Sequence, residues 1–176
     1  MFFQSTKLTG SYIILPEKRE DERGFFARTW CQREFEAHGL VSRVAQTNVC
    51  FSKGRGTLRG MHYQVAPCEE TKLVRCTRGA IYDVVIDLRP QSPTFKQWLG
   101  VELTAGNYKM LYVPENFAHG YQTLEDNTEV IYLVSQFYSS ESERGVRYND
   151  PGFGIDWPRG VQVISDKDES WPDFLL

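Results

Sequence analysis

Arg59-Gly60-Met61-His62-Tyr63-Gln64, followed eight residues later by Lys72-Leu73-Val74-Arg75, reads as two neighbouring extended segments that carry an imidazole, an ammonium and two guanidiniums. Working outward, strand-length runs rich in Val, Ile, Tyr and Thr recur at 44–50, 57–63, 72–76, 80–88, 97–103, 109–113, 119–123 and 129–138. The segments between them supply Gly, Asn or Asp where a hairpin needs those residues: Lys53-Gly54-Arg55-Gly56, Thr77-Arg78-Gly79, Ala105-Gly106-Asn107 and Glu125-Asp126-Asn127. Short strands at this regular spacing predict an all-β sandwich or barrel of antiparallel strands. Upstream, Ser11 to Leu15 alternates like an edge strand, and Asp21-Glu22-Arg23-Gly24 makes a charged turn into Phe25-Phe26-Ala27-Arg28-Thr29. One short helix is expected from Cys31 to His38, with Phe35 as its apolar contact and Gly39 as its stop. Beyond Tyr138 the chain turns polar and loop-like through Ser139-Ser140-Glu141-Ser142-Glu143-Arg144-Gly145.

Composition narrows the function classes. The 176 residues, 41% of them hydrophobic, fit a single domain (1–176) with a sizeable core. A net charge of -3 argues against a nucleic-acid or membrane-surface footprint, which would want a clustered basic face. Cys31, Cys50, Cys68 and Cys76 match no C-x-x-C pattern and read as reduced thiols. No run reaches signal-peptide character or the roughly 20 apolar residues of a membrane span, so a soluble cytoplasmic protein is expected. His38, His62 and His119 are far apart and form neither an H-x-H nor an H-x-x-x-H pair, which argues against a metal.

Strand periodicity sorts the polar residues. Arg59, Met61 and Tyr63 share one face, and Gly60, His62 and Gln64 the other. Arg59 and His62 therefore meet one cavity only if the strand bulges, and Gly60 is where a bulge costs least. Tyr132 lies in the apolar run Val130 to Val134, where a buried phenol wants a hydrogen-bond partner. Taken singly, each of these residues has a bland reading as well: a strand histidine can be structural, a tyrosine core, and Arg23, Arg59 or Lys72 a solvated charge.

Taken together, Asp21-Glu22-Arg23-Gly24-Phe25, Gln46-Thr47-Asn48, Leu58-Arg59-Gly60-Met61-His62-Tyr63-Gln64, Lys72-Leu73-Val74-Arg75, Val84-Val85-Ile86-Asp87-Leu88-Arg89, Ser92-Pro93-Thr94-Phe95, Val113-Pro114-Glu115-Asn116-Phe117-Ala118-His119-Gly120 and Asn149-Asp150-Pro151 resemble the dTDP-4-dehydrorhamnose 3,5-epimerase family. The resemblance runs in register over nearly the whole chain. It implies a cupin-type jelly-roll barrel of antiparallel strands with a few short helices, working without metal or other cofactor. It further implies a homodimer whose N-terminal strands cross to the partner, and a nucleoside-diphosphate 4-keto-6-deoxy sugar as substrate. By the same resemblance His62 is the base, Asp168 orients it with Asp166 as the alternative, Tyr132 is the acid on the other face, and Lys72 stabilises the enolate. His119 would line the sugar pocket. Arg23, Arg59 and Lys167 would serve the diphosphate, with Gln46, Thr47, Asn48 and Glu143 as further contacts, and Phe137 would stand as an aromatic against the base.

One position departs from the family pattern. Where many members carry a glutamate after the Arg-Gly-Phe-Phe run, this chain has Arg28. A carboxylate accepts the N3–H of thymine, whereas a guanidinium donates to the N3 and O2 of cytosine, so a CDP-linked substrate is one expectation and an Arg28 that points to solvent or to phosphate the other. Two further alternatives stay open: a 3-epimerase or ketoisomerase using the same His62 and Lys72, and a non-catalytic cupin that only binds the nucleotide sugar.

Overall fold

The computed structural model describes residues 1–175. In chain order its elements are β1 (Phe2–Ser5), β2 (Tyr12–Leu15), β3 (Arg19–Asp21), β4 (Gly24–Phe26), α1 (Gln32–Ala37), β5 (Gln46–Ser52), β6 (Leu58–Gln64), β7 (Lys72–Arg78), β8 (Ala80–Asp87), β9 (Trp98–Thr104), β10 (Met110–Val113), β11 (Phe117–Thr123), β12 (Thr128–Val134), β13 (Glu143–Gly145) and α2 (Asp166–Glu169). Two antiparallel sheets face each other in a jelly roll. One runs β1-β2-β10-β7-β12-β5, the other β13-β6-β11-β8-β9, and β3-β4 forms a separate hairpin.

The alternation of each strand sends one set of side chains between the sheets and the other outward. Val74, Cys76, Ile81, Val85, Leu111, Phe117 and Val130 fill the interior. The outer face of the six-stranded sheet presents Leu73, Met110, Tyr112 and Ile14, and Phe35 of α1 packs onto them. At six residues α1 is too short to hold on propensity alone. Burial of Phe35 contributes about 2–3 kcal/mol and fixes the helix in place. Its end follows from Gly39, whose φ of 69° admits the left-handed turn that releases the chain. The outer face of the other sheet, with Met61, Val84 and Ile86, is covered by C-terminal residues including Val146, Trp157 and Phe174.

Three expectations need correction. The Tyr12–Leu15 strand lies inside its sheet between β1 and β10, because Phe2–Ser5, a run with little alternation, forms the edge. The polar segment after Tyr138 is not all loop. Glu143–Gly145 adds a strand to the free edge of β6, opposite Gln64, Tyr63 and His62. A turn of helix at Asp166–Glu169, capped by the Ser165 hydroxyl, was also not foreseen. No helix among the described residues is long and apolar enough to cross a membrane.

Candidate active site

The open end between the two sheets holds a cavity of about 280 Å³. The five-stranded sheet contributes Arg59 and His62 from β6 and His119 and Tyr121 from β11; the six-stranded sheet contributes Lys72 from β7 and Tyr132 from β12. Arg59 and His62 reach the same space because β6 carries an extra residue. His62 pairs with His119 and Arg59 with Tyr121, so two residues of β6 stand opposite Gly120 alone. Gly60 absorbs the mismatch at a φ of 131°. A Cβ there would lie 2.5 Å from the Gly120 Cα, so the bulge requires glycine.

His62 Nε2 lies 2.7 Å from Asp168 Oδ1, and the Gly60 amide donates to the other carboxylate oxygen at 3.1 Å. The Ser165 cap of α2 sets the direction of Asp168 in turn. Burial pushes the Asp168 carboxyl up, but the bonds from His62 and the Gly60 amide outweigh it and hold the group below the usual carboxylate range. Asp168, not Asp166, is therefore the partner of His62. Trp171 meets the His62 ring edge to face, with centroids 6.3 Å apart.

Lys72, nearly buried, pairs with Glu70 at 3.1 Å. Burial raises the Tyr132 phenol, so its hydroxyl keeps its proton at neutral pH. An adjoining hollow of about 230 Å³ shares His62, Lys72 and Tyr132 and adds Gln46, Asn48, Tyr138 and Glu143. Glu143 receives both Lys167, at 2.7 and 2.6 Å, and the Tyr138 hydroxyl. His119, buried, is bonded to Asp83 at 2.7 Å. No cluster of three or more His, Cys, Asp or Glu that could hold a metal ion occurs among the described residues.

Most of the expected residues thus converge, and four do not. Thr47 is exposed, since β5 sends Gln46, Asn48 and Cys50 inward and Thr47, Val49 and Phe51 outward. Phe137 does not stand against the base: its ring is exposed, and the aromatic at His62 is Trp171. Arg23 and Arg28 lie on or beside the β3-β4 hairpin, away from the cavity of their own chain, paired with Asp21 at 2.6 Å and Glu34 at 3.0 Å. Residues that sequence reasoning passed over are Glu70, Asp83, Tyr121 and Trp171. Asp83 carried a usable signal, a lone carboxylate in the apolar run Ile81 to Val85 that has to find a partner.

Residues 5–175 match the family model described as dTDP-4-dehydrorhamnose 3,5-epimerase. The chain belongs to the dTDP-4-dehydrorhamnose 3,5-epimerase family. A dTDP-4-dehydrorhamnose 3,5-epimerase of Sinorhizobium fredii is 41% identical over 175 residues, covering 99% of this chain and 90% of the relative. The crystal structure of the Elizabethkingia anophelis enzyme superposes with a TM-score of 0.96 at 39% identity, covering 99% of this chain and 96% of that one. The Bacillus anthracis enzyme, solved with TDP and PPi bound, gives a TM-score of 0.94 at 41% identity, with 98% and 99% covered. This member is accordingly a carbohydrate epimerase with the cupin jelly-roll fold of its family.

Proposed function

We propose that the protein epimerises C3 and C5 of a nucleoside-diphosphate 4-keto-6-deoxyhexose by proton exchange through an enolate. The observation that carries the reading is the placement of two proton-transfer groups on opposite sheets of one cavity: the Asp168-bonded His62 on one side, the protonated Tyr132 on the other. The C4 ketone acidifies the hydrogens at C3 and C5. Neutral His62 takes one of them, the electron pair moves onto the C4 oxygen, and Tyr132 returns a proton to the opposite face. Lys72, its side chain only 10% exposed, supplies a fixed positive charge for the enolate oxygen. Asp168 holds the ring and stabilises the imidazolium that forms. Arg59 and Lys167 serve the diphosphate, with Gln46, Asn48 and Glu143 along its path.

The reading includes a single domain acting as a homodimer in the cytoplasm. Support for the dimer comes from Phe26 on the exposed hairpin and from the outward face of β5, where Val49 is 66% and Phe51 45% exposed. The same arrangement gives Arg23 and Arg28 a role at the partner's cavity, since they have none at their own. Four free cysteines fit a reducing compartment. On the nucleotide, a dTDP-linked sugar is favoured by the relative solved with TDP. A CDP-linked sugar finds less support, because Glu34 engages the guanidinium on which that preference would rest.

The test is incubation of dTDP-, CDP-, UDP- and GDP-linked 4-keto-6-deoxyhexoses in D2O. Deuterium is expected at both C3 and C5, fastest with dTDP. Incorporation at one carbon selects a 3-epimerase, and none with any nucleotide leaves a binding cupin.

A further inference from the structure

Glu70 stands two residues ahead of Lys72, just before β7 opens. Between them Thr71 is pinned to Ser135: its amide donates to the Ser135 hydroxyl at 2.8 Å, and its carbonyl accepts from the Ser135 amide at 3.1 Å. These bonds carry the β7–β12 pairing one residue upstream of Lys72, so Glu70 falls on the same side of the chain as Lys72 and forms the 3.1 Å ion pair with it. That pair does not exhaust the carboxylate. Its side chain keeps 13% exposure and lines the hollow that also holds His62, Lys72 and Tyr132. Among the described residues no protein donor hydrogen-bonds Oε2, and neither oxygen is sealed from the hollow. Glu143, the other carboxylate on that wall, is by contrast occupied by Lys167 and the Tyr138 hydroxyl. A phosphate seated against Glu70 would meet like charge, whereas a hydroxyl donates to it in a charge-assisted hydrogen bond.

We infer that Glu70 is a specificity residue that accepts a hydrogen bond from the C3 hydroxyl of the incoming sugar. The inference rests on the proposed substrate class, with Lys72 at the C4 oxygen, and deepens it by saying which edge of the ring enters the hollow. Oxygens on neighbouring carbons of a hexose are spaced much as Lys72 Nζ and Glu70 Oε1 are, so a ring with its C4 oxygen on Lys72 brings an adjacent substituent to Glu70. On one side that substituent is the C3 hydroxyl; on the other it is the C5 methyl of a 6-deoxy sugar. A methyl pressed on a carboxylate takes water from the charge and returns no hydrogen bond, so the ring enters with its C3 edge towards Glu70. A site built to hydrogen-bond a ligand hydroxyl discriminates sharply against ligands that lack it.

The test is a ratio of affinities, measured by calorimetric titration with dTDP-glucose and dTDP-3-deoxyglucose, two nucleotide sugars that lack the ketone and are not turned over. The wild type is expected to bind the 3-deoxy ligand about tenfold or more weakly. In Glu70→Ala the two affinities should become equal. Freeing Lys72 from its partner alters both titrations alike and cancels in the ratio. Glu70→Gln, which keeps the volume and a neutral acceptor, should narrow the ratio by about threefold or more, and it decides alone if the alanine variant does not fold. Equal affinities in the wild type overturn the inference. So does a ratio as wide in the variants as in the wild type, because the hydroxyl would then be held by another group. A wild type that shows this Glu70-dependent ratio but exchanges no deuterium defeats the epimerase reading and leaves the contact standing; exchange at C3 and C5 with a ratio of one defeats the contact and leaves the epimerase.

Discussion

His62–Asp168 and His119–Asp83 are the same contact made twice, each at 2.7 Å, by histidines that are direct partners in the β6–β11 register. Their surroundings differ. The His62 side chain is 32% exposed at the mouth of the cavity, and both oxygens of its aspartate are bonded. The His119 side chain is 9% exposed, and the second oxygen of Asp83 has no partner among the described residues. A base must take a proton and later release it, which suits a ring with access to ligand and solvent and a fully satisfied anchor. A ring enclosed beside a completely buried carboxylate suits a fixed wall. Distance alone would rank the two pairs equally; burial and the accounting of lone pairs separate them.

The comparison can be broken most directly at His62. Replacing it with alanine should lower deuterium exchange by about 10³-fold or more while nucleotide-sugar binding persists; near-normal exchange would transfer the base role elsewhere. Next in size, Asp168→Asn should cost exchange about 10²-fold by misorienting the ring, with KM little changed. Asp83→Asn is expected to invert that pattern. Denaturant unfolding should show a loss of about 1–3 kcal/mol, while exchange changes by less than about tenfold. A variant of Asp83 that harms exchange more than the Asp168 variant would reverse the assignment of the two pairs.

The smallest effect expected concerns acid. Asp168 has its folded-state carboxyl held below the ordinary value. Its contribution to stability is therefore fully present above roughly pH 4 and is lost as pH falls through the lower folded value. The wild type should keep its margin over Asp168→Asn at neutral pH and lose it progressively below about pH 4, as read by acid titration of unfolding. A margin independent of pH would mean that the substitution acts through packing and not through the charge.

The strands from β5 to β12 were legible because runs rich in Val, Ile, Tyr and Thr are bounded by turn residues, and this holds even for β10 and β11, where every residue is buried. The α1 helix was legible from Phe35 and Gly39. Glu143–Gly145 was not, since a three-residue polar strand exists only through its pairing with β6, a relation between distant segments. The cavity residues were found by motif resemblance, but periodicity alone already placed Gln46 and Asn48 together and would have excluded Thr47 and included Cys50. The awkward position of Arg59 was visible in advance, and so was its remedy at Gly60. Trp171 was invisible because nothing local announces a ring that packs on His62 from the tail.

Gly60 and Gly120 touch across β6 and β11, each standing where the other's side chain would have to be. A Cβ on Gly120 would meet the Met61 sulfur at 2.6 Å and the Arg59 carbonyl oxygen at 2.7 Å, just as one on Gly60 would meet Gly120. Neither position can accept a larger residue while its neighbour stays as it is, and enlarging both compounds the collision. For anyone diversifying this scaffold by random libraries, the two sites form a shared blind spot: variants there should vanish at the folding stage, before any screen for new substrates can see them.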